Sequence, residues 1–74
     1  MQAVIVTWLD AHYDEMAGDI HMAVHLSPIT VESAGWLIRQ DEEVYVIARD
    51  KYLDGEYRHF LTIPRQTVLS YTPI

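Results

Sequence analysis

Seventy-four residues and 8.6 kDa leave room for one small domain, residues 1–74, and not for two. Half the chain is hydrophobic, which excludes most disordered chains, and no run approaches the roughly 20 apolar residues of a membrane-spanning helix. No Cys is present, so disulfides, thiolate zinc sites and cysteine nucleophiles are excluded, and a net charge of −6 argues against generic nucleic-acid binding.

The opening run Ala3–Leu9 is β-branched and aromatic and predicts a buried strand. Residues 10–19 are polar, carry Gly18 and read as a loop. Ile20–Leu26 is ambiguous: strand alternation opposes Ile20, Met22 and Val24 to His21, Ala23 and His25, whereas helical spacing puts His21 and His25 on one face. Four further strands are predicted over Thr30–Gln40, Glu43–Asp50, Glu56–Ile63 and Thr67–Thr72. Asp54-Gly55 signals a two-residue hairpin turn, because Gly accepts positive φ without steric cost. Pro64 ends the fourth strand and predicts a short helical turn before the last one. The expected fold is all-β: a small five-stranded SH3-like or Sm-like barrel with a short helical turn before the last strand.

Pairing follows from the turns. A turn at 41–42 sets Leu37 against Val46 and Trp36 against Ile47, and a two-residue turn at 54–55 sets Ala48 against Leu61 and Arg49 against Phe60. The expected core face then holds Leu37, Val44, Val46, Ala48, Leu61 and Ile63. The second face holds Trp36, Ile38, Tyr45, Ile47 and Phe60 beside Arg49, Lys51 and Arg58. A three-residue first turn would move Trp36 and Ile38 across, since a slip of one residue exchanges the faces.

All five basic residues lie in 39–74, and residues 1–38 carry five acids with no Lys or Arg. A face mixing Arg, Lys and aromatic rings suits an interface hot spot, or an anionic ring-bearing ligand with Arg on phosphate and a ring stacked on the base. The candidate ligand- or partner-binding residues are Trp36, Tyr45, Arg49, Lys51, Tyr57, Arg58, Phe60 and Arg65. The plainer alternative is that the first and last strands cover this face and leave the cations as solubilising charges. So short a domain buries only about 60% of its unfolded surface, so association into a homo-oligomer is expected.

Catalytic chemistry has little sequence support. Asp10, His12, Asp14, His21 and His25 form the one metal-binding alternative, a metal-dependent hydrolase, but no HExxH is present. Glu15 stands where a calcium loop needs glycine. Ser27, Ser33 and Ser70 lack a nucleophile-elbow pattern, and no glycine-rich phosphate loop exists. No catalytic residue, metal or cofactor is expected.

Trp8-Leu9-Asp10-Ala11-His12, Gly35-Trp36-Leu37-Ile38, Val46-Ile47-Ala48-Arg49 and Ile63-Pro64-Arg65 follow one another along the chain. In this order they resemble a group of small proteins encoded by tailed phages and prophages, with a WxDAH, GWL and IP[RK] pattern. The resemblance implies cytoplasmic expression in an infected bacterium and an accessory role, and it supplies no catalytic residues. The expected function is non-enzymatic binding: a homo-oligomeric anti-defence or host-modulating protein that captures a small nucleotide-like ligand. A module that inhibits a host protein is the second reading.

Overall fold

The computed structural model describes residues 1–11, 18, 20 and 27–74. These form one antiparallel sheet of five strands: β1 (Ala3–Asp10), β2 (Ile29–Gln40), β3 (Val44–Lys51), β4 (Tyr57–Pro64) and β5 (Val68–Pro73). A single 3₁₀ turn, Arg65–Thr67, precedes β5. Every described strand falls where the β-branched and aromatic runs predicted one. The expected loop and the ambiguous Ile20–Leu26 segment lie almost wholly outside the described residues.

The strand order is β4-β3-β2-β1-β5, and the sheet is open, with β4 and β5 as its edges. β2 is the long strand that joins two ladders. Residues Ile29 to Trp36 pair with β1, whereas the ladder to β3 begins only at Trp36, opposite Ala48. β2 and β3 therefore part company before Gly35. At Gly35 itself they meet closely: a Cβ built there would stand 2.5 Å from the Ala48 carbonyl oxygen. Glycine is required at that contact because no side chain fits.

Residues paired across strands share a face. One face carries Val4, Val6 and Trp8 of β1, Leu37 of β2, Tyr45 and Ile47 of β3, and Leu61 and Ile63 of β4. Val4, Val6, Tyr45, Ile47 and Ile63 are buried there as the core, with Trp8, Leu37, Leu61 and Val68 packed around them. Each fully buried Val or Ile contributes about 1.5–3 kcal/mol relative to exposure. Gln40 Nε2 donates to the Tyr45 hydroxyl at 2.9 Å, so the one polar tip in the core is satisfied.

The register corrects the expected faces. Leu37 pairs with Ile47 and not with Val46, and Ala48 pairs with Phe60 and not with Leu61. Two local features cause this. A bulge between Leu37 and Arg39 takes up one residue at Ile38. The β3–β4 connection is a three-residue loop, Leu53 to Gly55, closed by Tyr52 N–H to the Glu56 carbonyl. The Gly55 amide donates to the Tyr52 carbonyl, and Gly55 takes φ +102°, completing a turn followed by a left-handed residue. Tyr45 and Ile47 consequently face the core, while Val44 and Val46 turn to the other side with Trp36 and Phe60. Ala48 is buried, as expected, but on that other side.

The β2–β3 hairpin is held by Asp41. Its Oδ1 accepts from the Glu43 and Val44 amides at 2.8 and 2.9 Å, and its Oδ2 accepts from Arg39 Nε. These donors hold the Asp41 carboxyl below the ordinary range, the Val44 and Glu43 amides first and the Arg39 side chain after them. Among the described residues, no helix is long and apolar enough to cross a membrane.

Candidate functional site

The divergence of β2 from β3 leaves an open cavity of about 640 Å³. Glu32, Ser33 and Ala34 of β2 form one wall. His59, Phe60 and Leu61 of β4 form the other, with Ile47 and Arg49 of β3 as the floor. Ile47 and Leu61 belong to the core face, so the cavity opens directly off the hydrophobic interior. The Arg49 guanidinium makes no hydrogen bond or ion pair among the described residues. Phe60 is 57% exposed although it is a large ring.

His59 is the feature that sequence reasoning missed. It has φ +59°, a left-handed conformation that is uncommon outside Gly and costs of the order of 1–3 kcal/mol. Its Nδ1 bonds Asp50 Oδ2, leaving Nε2 as the free ring nitrogen beside the cavity. Asp50 also receives Arg58 Nε at 3.4 Å. The His59 hydrogen bond is the first cause, and the Arg58 and Arg49 charges later ones, of an Asp50 carboxyl held below its ordinary range. Nothing in the hydrophobic pattern signals a left-handed backbone within a strand, so only the structure reveals it. On the opposite wall, Trp8 Nε1 donates to Ser33 Oγ at 3.0 Å across the β1–β2 ladder.

The residues singled out from sequence divide into three places. Arg49 and Phe60 both line the cavity. Trp36, Lys51 and Tyr57 form a second group: the Trp36 and Tyr57 rings pack edge to face at 6.2 Å, and the Lys51 ammonium lies 5.8 Å from the Tyr57 ring. Arg58 stands beside them, stacked 4.7 Å over Tyr52 and donating to its hydroxyl at 2.6 Å. Tyr45 and Arg65 are at the far end of β3 and β4. Tyr45 is only 5% exposed, packs against Tyr71 and belongs to the core, so it is withdrawn from the expected binding face by the register. Arg65 is committed to the β2–β3 turn, donating to the Asp41 carbonyl at 2.8 Å and covering the Tyr45 ring.

Of the metal-binding alternative, only Asp10 lies within the described residues; His12, Asp14, His21 and His25 do not. Among the described residues, no three His, Asp or Glu side chains group as metal ligands. No family model, curated protein or solved structure matches the chain.

Proposed function

We propose that this chain is a non-enzymatic phage or prophage accessory protein that captures a small anionic, nucleotide-like ligand in the cavity between β2 and β4. The observation that carries the reading is the pairing in one cavity of Arg49, uncommitted among the described residues, with the exposed ring of Phe60. A guanidinium offers a forked donor to phosphate, and an exposed ring offers a stacking surface to a base. The cavity volume falls in the range of small-molecule sites, roughly 300–1,000 Å³. The protein acts in the cytoplasm of the infected bacterium, as the phage-like motif order suggests.

The same reading takes the sheet as a small SH3-like or Sm-like barrel that works as a homo-oligomer. The two edges, without a strand partner among the described residues, support the oligomer, above all β5, which has no charged side chain and exposes Leu69 and Tyr71. Natural monomers blunt such an edge with charge, and β5 lacks that protection.

Native mass spectrometry of protein purified from bacteria with active nucleotide-based defence tests the reading. The expected species is an oligomer carrying a few hundred extra daltons per site, lost in Arg49→Ala while the oligomer persists. A ligand-free mass for the wild type overturns capture.

A second reading, inhibition of a host protein, is favoured by the tip of the β3–β4 hairpin, where Leu53 is fully exposed beside Tyr52. Exposed apolar groups of that kind dock on partners. A host protein co-purifying in fixed stoichiometry, and lost in Leu53→Asp, identifies that role.

A further inference from the structure

We infer that the cavity is built for a ligand with a single phosphate group and a hydrogen-bond-donating ring, and discriminates against polyphosphates; this rests on the capture reading above. The first ground is a census of cations. Arg39 is paired with Asp41, Arg58 with Asp50 and the Tyr52 hydroxyl, and Arg65 with the Asp41 carbonyl. Lys51 lies over Tyr57, in the group around Trp36. Among the described residues, Arg49 is the one Arg or Lys lining the cavity. A triphosphate would bring several negative charges to one guanidinium in a protein of net charge −6, and each added phosphate would meet repulsion without a new partner.

The second ground is Glu32 on the facing wall. A carboxylate lining the same cavity as Arg49 repels a second phosphate, and it accepts hydrogen bonds from an amino or hydroxyl group. The third is His59. With Nδ1 taken by Asp50, Nε2 is the nitrogen left for a ligand, and the left-handed backbone holds the ring at the cavity wall. Arg49 takes the anion, Phe60 covers the ring, and Glu32 and the acceptor Nε2 of His59 receive the ring's donors. Each of these side chains lines the same space.

Calorimetry with inorganic phosphate, adenosine, AMP and ATP as probes tests this on the wild type, Arg49→Ala and Glu32→Gln. Adenosine nucleotides serve because the amino group of adenine is a donor. AMP should bind at least tenfold more tightly than ATP, phosphate or adenosine. Arg49→Ala should abolish that preference over adenosine, and Glu32→Gln should bring ATP to within about threefold of AMP. Circular dichroism confirms that both variants remain folded, as expected for exposed positions. ATP binding as tightly as AMP overturns the single-phosphate inference and leaves capture standing. Phosphate alone binding as tightly as AMP overturns ring recognition. Heat from none of the four probes overturns nucleotide capture itself, and the inference with it.

Discussion

Replacing Gly35 by alanine tests whether the close approach of β2 and β3 limits this sheet. The new Cβ would stand 2.5 Å from the Ala48 carbonyl oxygen, about 0.9 Å short of the 3.4 Å at which ordinary contact begins. It would also lie 3.1 Å from the Ala48 carbonyl carbon and 3.3 Å from the Ile47 Cβ. Two of these three neighbours are backbone, which cannot rotate away, so the ladder itself must open. Overpacking of this kind costs about 1–3 kcal/mol. The alanine stiffens the unfolded chain and returns about 0.4–1 kcal/mol, since Gly35 is not in the left-handed region. The net loss is about 1–2 kcal/mol, against a total of roughly 4–11 kcal/mol for a domain of this length. Urea unfolding followed by circular dichroism should show the midpoint lowered by about 1 M with an unchanged slope. The melting temperature should fall by about 4–8 °C for each kcal/mol lost. A midpoint equal to or above that of the wild type refutes the close-contact argument.

Two further outcomes follow from the core and the β2–β3 turn. Ile47→Ala removes a fully buried side chain at the centre of the core and should destabilise by about 2–5 kcal/mol, read from the same urea curves. The Asp41 carboxyl is held below its ordinary range by the Val44 and Glu43 amides and by Arg39, so its contribution to stability is complete above the unfolded carboxylate range near pH ~3.9. That contribution is lost as pH falls through the lower folded value. Asp41→Asn keeps an acceptor for both amides but cannot ionise, so it should be slightly less stable at pH 7 and lose less stability on acidification. An acid response identical to that of the wild type would show that Asp41 does not contribute to it.

Strand positions were legible because each strand is a β-branched or aromatic run ended by a turn residue, as at Asp54-Gly55 and Ile63-Pro64. Register was not. A bulge at Ile38 and one extra residue in the Leu53–Gly55 loop carry no hydrophobic signature, yet each slips the ladder by a residue. In β3 that exchanged the faces completely, because Val44, Tyr45, Val46 and Ile47 are all apolar and either alternation yields an acceptable core. The same slip drew Tyr45 inside. Arg49 and Phe60 were named from the expected second face; Glu32, Ser33 and His59 depend on where β2 leaves β3, which no local pattern encodes.

The indole of Trp8 is hydrogen-bonded to Ser33 Oγ, and Ser33 lines the cavity. The chain therefore carries its own optical reporter, one hydrogen bond from the space a ligand would fill. Indole emission responds to what its N–H donates to, and a guest competing for the Ser33 hydroxyl changes that environment. Trp36, the second indole, sits on the other face against Tyr57. In Trp36→Phe the remaining emission belongs to Trp8 alone, so occupancy of the cavity could be followed by fluorescence in real time without attaching a dye.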